Sequence, residues 1–175
     1  MLQRQCCQNQ TDAAPATPDR LHAANGTSEV EAIMQTYEGG CLCSAIRYRI
    51  AGSPISSALC HCATCRRASG APLVAWLTVN RHQLQLLSGL PEVYRSSQGV
   101  KRQFCGSCGS QLSYEMVNRP ETIDISTVSL DDPNLFPPTM EVWLDHKLPW
   151  HPARADLAPY GEGTGHSDEV AERNS

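Results

Sequence analysis

Aromatic residues make up only 6% of this 175-residue chain, with two Phe, three Trp and five Tyr. A core built from it must therefore rely on Val, Leu and Ile. No apolar run approaches the roughly 20 residues of a membrane-spanning helix, so no membrane span is expected. The first twenty residues hold no apolar stretch of the secretory type, and the expectation is a cytoplasmic chain. Basic surplus is also missing. The net charge is −4, and it resides in the ends: residues 1–35 carry two basic and four acidic side chains, and residues 152–175 carry two and five. The body between them is nearly neutral, which excludes the basic footprint of a nucleic-acid binder. Amphipathic helices of ordinary length are lacking as well.

What remains is mostly period-two patterning. Residues 45–50 alternate, residues 73–79 form a short apolar run, and residues 92–95, 111–114, 122–126 and 141–144 are further strand-length segments. Turn chemistry separates them, as in Gly52-Ser53-Pro54, Ser88-Gly89-Leu90-Pro91 and Asp131-Asp132-Pro133-Asn134. The reading is a mainly β domain of two packed sheets or a distorted sandwich. Composition places that domain at residues 36–160. Residues 1–35, without one Phe, Tyr or Trp, and the acidic residues 161–175 are expected to be disordered extensions.

Cysteine is the abundant exception, with nine in the chain. Cys41-Leu42-Cys43 is a C-x-C pair. Cys60-His61-Cys62-Ala63-Thr64-Cys65 reads C-x-C-x-x-C. Cys105-Gly106-Ser107-Cys108 reads C-x-x-C and runs directly into Gly109. In a reducing compartment such clusters are metal ligands rather than disulfides. Glycines beside Cys41 and within the last pair allow sharp turns that aim amides at sulfur.

Four thiolates from the first and last clusters match a closed structural zinc site. Three from the central cluster match an open, catalytic one. Spacing alone leaves two alternatives. Cys60 or Cys62 could pair with Cys41 and Cys43, or the central site could be closed by His61, His82, His146 or His151. Cys6 and Cys7, in the N-terminal segment, are expected to be free thiols. His61, between two ligands, would hydrogen-bond a sulfur, relay a proton or lie solvated.

These residues resemble the glutathione-dependent formaldehyde-activating enzymes, grouped with centromere protein V. The resemblance runs from Gly39-Gly40-Cys41-Leu42-Cys43 to about Tyr160. Its most specific stretch is Cys60-His61-Cys62-Ala63-Thr64-Cys65-Arg66-Arg67-Ala68-Ser69-Gly70. Arg102-Gln103-Phe104-Cys105, Ile123-Asp124-Ile125 and Leu130-Asp131-Asp132-Pro133 also belong to it.

The resemblance implies an Mss4-like β fold. It implies two zinc ions per chain, a structural one on Cys41, Cys43, Cys105 and Cys108 and a catalytic one on Cys60, Cys62 and Cys65. It also implies carbon–sulfur lyase chemistry of the S-(hydroxymethyl)glutathione synthase type, with a small-molecule thiol and an aldehyde as partners. Three departures stand out: Glu141 where the family usually has His, Val128-Ser129 in place of Gly-Thr, and Asp156-Leu157-Ala158-Pro159 in place of Asp-Gly-Leu-Pro.

Three thiolates leave a divalent ion with net negative charge, suited to holding a substrate thiolate rather than to ionising water. Arg66 or Arg67 would then bind a substrate carboxylate; the alternatives are solvation, or pairing with Asp131 and Asp132. Trp76 and Trp143 are expected in the core. A zinc-stabilised binding module without catalysis is the competing reading. Association with chromatin or microtubules fits poorly with the charge distribution.

Overall fold

The computed structural model describes residues 35–163. The expectations for residues 1–34 and 164–175, including those for Cys6 and Cys7, lie outside the described residues. Among the described residues, eleven strands and one short α-helix follow in order: β1 (Thr36–Gly40), β2 (Arg47–Ala51), β3 (Ser56–Cys60), α1 (Ala63–Ser69), β4 (Val74–Asn80), β5 (Leu84–Ser88), β6 (Glu92–Ser97), β7 (Val100–Phe104), β8 (Gln111–Met116), β9 (Thr122–Ser126), β10 (Met140–Val142) and β11 (Ala158–Pro159). They form a three-stranded sheet, β1-β2-β5, and an eight-stranded sheet, β11-β10-β3-β4-β9-β8-β7-β6.

Side chains alternate across a strand, so the large sheet has two apolar faces. Leu77 and Val79 of β4 and Ile123 and Ile125 of β9 point one way. They meet Tyr48 and Ile50 of β2, with Cys41, Cys105 and Leu112 in the same buried cluster. Val74 and Trp76 of β4 point the other way, into a second cluster with Ala58, Cys60, Cys65 and Val142. The first cluster is the core between the sheets, and the second covers the far face. Trp76 is 6% exposed, and Trp143 packs partly buried beside it, as expected of core residues.

The large sheet is mostly antiparallel, with a parallel portion at one edge. β3, β4, β9, β8, β7 and β6 pair antiparallel in turn, but β10 lies parallel to both β3 and β11. After β9 the chain runs through short 3-10 turns to the β3 edge, and it enters there in the same direction as β3. That register sets Val142 opposite Cys60 and Glu141 opposite Leu59. The Cys60 turn is thus held from both sides, by β4 and by β10.

Candidate metal centres

The sulfurs gather into two groups. Those of Cys41, Cys43, Cys105 and Cys108 lie within 4.8 Å of one another, and so do those of Cys60, Cys62 and Cys65. Cys60 and Cys62 do not join Cys41 and Cys43.

In the first group, the turn after β1 presents Cys41 and Cys43, and the turn between β7 and β8 presents Cys105 and Cys108. The Ile46 amide donates to Cys41 Sγ at 3.3 Å, and the Cys41 amide donates to the Ile46 carbonyl at 3.1 Å. Gly40 is required by this close approach, since a Cβ there would lie 2.3 Å from the Ile46 oxygen. At the second turn, Gly109 adopts φ +76° and its amide closes onto the Cys105 carbonyl at 2.8 Å. Ser110 ties the two turns together: its Oγ accepts from the Leu42 amide at 3.0 Å and lies 3.3 Å from Cys108 Sγ.

This geometry fits a metal. A tetrahedron of sulfurs at about 2.3 Å from its centre has edges of about 3.8 Å. Cys41 and Cys43 sulfurs are 3.5 Å apart, and those of Cys43 and Cys105 are 3.7 Å apart. Crowded thiols alone oppose one another's ionisation. Contacts with Ser110 bring Cys108 down to about 5. Cys43 is driven up to about 11, because its contacts with Cys41 and Cys108 outweigh the lowering effect of the Ala45 amide. A shared cation removes that opposition, which is how thiolate sites couple to metal.

The second group is local. Cys60 ends β3. Cys62 is the N-cap of α1, its sulfur accepting from the Cys65 amide at 3.3 Å, and Cys65 lies in the first turn. Gly70, left-handed at φ +67°, ends the helix, so Ser69-Gly70 forms its C-terminal turn. Cys60 and Cys65 are buried and Cys62 is half-buried, so the group meets solvent through Cys62. Hydrogen bonds with Cys60 and Cys65 hold the Cys62 thiol far below its ordinary range, and contacts with Cys62 and Cys65 push Cys60 far above it. Among the described residues, no histidine or carboxylate joins these three sulfurs within 4.8 Å.

His61 is fully buried rather than solvated, and its Nε2 pairs with Glu141 Oε1 at 3.0 Å, not with a sulfur. Glu141, the departure from the family pattern, is 1% exposed, and its second oxygen accepts from the Arg154 amide at 2.9 Å. His151 lies near His61, with ring centroids 6.0 Å apart, while His82 and His146 are exposed.

Arg66 and Arg67 occupy the last turn of α1, half-buried and exposed respectively. They do not pair with Asp131 or Asp132. Arg47 takes Asp131 in a bidentate pair at 2.8 and 2.5 Å, and Asp132 caps the turn at Asn134. The Arg66 Nε is buried without a hydrogen-bond partner among the described residues.

One residue at this site escaped the sequence analysis. Arg102 of β7 is 5% exposed, and its Nη2 lies 3.7 Å from Cys65 Sγ. The available signal was its inward position in the alternation Val100, Arg102, Phe104, where a charge needs a partner.

Fold and centres together define a β-rich protein with two cysteine clusters of metal-ligand geometry. A family model described as glutathione-dependent formaldehyde-activating enzyme matches residues 36–146, and the chain belongs to that family. A Schizosaccharomyces pombe protein named as an uncharacterised lyase is 32% identical over 85 residues, which is 49% of this chain and 61% of that protein. The chain thus matches about three fifths of the length of that curated relative. A crystal structure of a Rhodobacter sphaeroides protein aligns with a TM-score of 0.48 and 18% identity, over 70% of this chain and 98% of that one. No helix among the described residues is long and apolar enough to cross a membrane.

Proposed function

We propose that this protein is a zinc-dependent carbon–sulfur lyase that joins a thiol, glutathione or a similar molecule, to formaldehyde or another small aldehyde. The observation that carries this reading is the group of Cys60, Cys62 and Cys65: three sulfurs within 4.8 Å, with no fourth protein ligand among the described residues and one half-buried member facing solvent. Those three residues would hold the catalytic zinc, and Cys41, Cys43, Cys105 and Cys108 a structural one. Bound at the three-cysteine group, zinc supplies an acidic position that stabilises a thiol as its thiolate.

The chain's own residues bring the reactants together and set their orientation. Arg66 or Arg67, on the helix turn following Cys65, would bind a carboxylate of the thiol substrate. The substrate sulfur attacks the aldehyde carbon, a carbon–sulfur bond forms, and the carbonyl π pair moves to oxygen. That oxygen takes up the proton the thiol gave up, so the product is the S-hydroxyalkyl thiol with no atom left over.

The test is proton NMR of glutathione and formaldehyde with catalytic protein, following exchange between free and hydroxymethylated thiol. Faster exchange with the native chain and no acceleration with Cys62→Ser is the expected result. Equal rates for both, with zinc loaded, would overturn the reading.

One observation favours a zinc-stabilised binding module instead. Hollows of about 260 Å³, lined by Arg81, Lys101 and Glu115, and about 300 Å³, lined by Ile46, Leu90 and Cys105, both lie away from the three cysteines. Unaccelerated exchange in the same assay would support that module.

A further inference from the structure

Arg102 is a buried cation without a carboxylate. Its side chain is 95% removed from solvent at 5% exposure, and no ion pair among the described residues includes it. Three contacts fix the guanidinium. Nε donates to Ser96 Oγ at 3.2 Å, the plane stacks on Tyr114 with its carbon 4.8 Å from the ring centroid, and Nη2 points to Cys65 Sγ at 3.7 Å. Nη1 is buried and finds no partner among the described residues. Leaving a charge buried and unpaired is costly, and chains that keep such a charge place an anion beside it. Among the described residues, the thiol in contact with the guanidinium is that of Cys65, a member of the central cluster. The ring of Tyr114 is attractive to a cation but neutral.

We infer that Arg102 is the counter-ion of the loaded three-cysteine centre, a positioning residue that offsets its net negative charge and steadies Cys65. The inference rests on the reading of Cys60, Cys62 and Cys65 as zinc ligands. Three thiolates on a divalent ion carry one net negative charge, which one guanidinium balances. With the guanidinium counted, a further anionic ligand such as a substrate thiolate brings the buried assembly to one net negative charge rather than two. The placement of Arg102 also links the two clusters. It stands three residues ahead of Cys105 on the strand that leads into the four-cysteine turn, and it is paired across to Tyr114 on β8. The four-cysteine site fixes the end of the β7–β8 hairpin, and that hairpin carries the guanidinium to the three-cysteine site.

Zinc release to a chromogenic chelator, titrated on the full-length chain, tests this without measuring activity. The native chain should yield about two zinc ions in two separate steps, one per cluster. Arg102→Met should weaken the more readily released ion 10- to 100-fold, the range typical of lost outer-sphere partners, and leave the other unchanged. Arg102→Lys should recover most of that loss, because it restores the charge. Should the Met variant not fold, Arg102→Gln keeps a donor, drops the charge and is expected to show the same weakening.

A folded neutral variant that releases both ions at native chelator concentrations overturns the inference. So does a Lys variant as weak as the neutral one, which would assign Arg102 a purely steric role. A native chain that holds a single zinc overturns both this inference and the zinc reading beneath it, whereas two zinc ions with unchanged affinities overturn this inference alone.

Discussion

Cys43 and Cys105 stand 62 residues apart, and their sulfurs meet at 3.7 Å. Cys60, Cys62 and Cys65 fall within a single turn and the start of a helix. A cross-link through the first group closes long loops and joins the turn after β1, in the small sheet, to the β7–β8 turn of the large one. Through the second it closes almost nothing that the β3–β4 pairing has not already closed. Loop-closure entropy alone separates the two by about 2 kcal/mol. The clusters also lie on opposite faces of the large sheet, the first in the core between the sheets and the second on the outer face with Trp76 and Val142. Similar chemistry would therefore have different consequences: a metal at the first cluster would hold the fold together, and one at the second would be carried by it.

The harshest test of that contrast is Cys105→Ser. Cys105 is 1% exposed and belongs to the inter-sheet core. Structural zinc in small domains is worth roughly 10–16 kcal/mol of folding free energy, as much as the whole stability of a typical domain, about 5–15 kcal/mol. The variant should show no cooperative thermal transition by circular dichroism. A sharp transition near the native midpoint would remove the four-cysteine group from its structural role.

Next in size is a change on β10, at a residue that is not a cysteine. Glu141→Ala leaves His61 Nε2 and the Arg154 amide without their shared acceptor. A buried pair broken from one side costs about 3 kcal/mol, readable as a lower urea midpoint at unchanged slope. Glu141→Gln keeps an acceptor and should lose less than half as much. If Ala and Gln variants unfold alike, the carboxylate is not what holds His61.

Cys62→Ser should have a smaller effect still on stability, below about 1 kcal/mol, because its sulfur is half-buried and closes only a local turn. It should lose one of two zinc ions by elemental analysis while its unfolding curve overlays that of the native chain. If Cys62→Ser unfolded as Cys105→Ser is expected to, the contrast between the clusters would collapse and the three-cysteine group would have to be structural.

Much of this was legible in the residues. The segment 122–126 coincides with β9, and residues 92–95 and 111–114 fall within β6 and β8, because alternation of apolar and polar residues along the sequence is a strand signature. β3 was not read as a strand. Its sequence, Ser56-Ser57-Ala58-Leu59-Cys60, groups two polar residues before three apolar ones and so shows no alternation to detect. β7 was missed because Lys101 and Arg102 give Val100–Phe104 the look of a polar loop.

The cysteine clusters were visible because ligands two or three positions apart are a local pattern. Arg102 beside Cys65 and Glu141 beside His61 are 37 and 80 residues from their partners. Such pairs exist only once β7 and β10 have taken their places in the sheet.

The smallest effect returns to the four-cysteine side, at its solvent edge. Asp131 is held below the ordinary carboxylate range by its bidentate pair with Arg47, the side chain on β2 opposite Gly40. Glu38 lies 3.6 Å from the same guanidinium and is itself engaged by Arg49. The folded-state value of Asp131 is depressed relative to the unfolded chain. Its contribution to stability is therefore complete above the unfolded carboxylate value, near 3.9, and disappears as pH falls through the lower folded value. Asp131 is 56% exposed in this pair, so solvent screens the interaction and Asp131→Asn should cost about 0.2–1 kcal/mol at neutral pH. The cost should shrink in high salt, and the native and Asn curves should converge at the acid end of a pH series of urea midpoints. A loss that persisted undiminished at low pH would mean that the Arg47 clamp acts through packing of the β1–β2 turn rather than through charge, and would extend the rigid frame of the four-cysteine cluster to the surface of the small sheet.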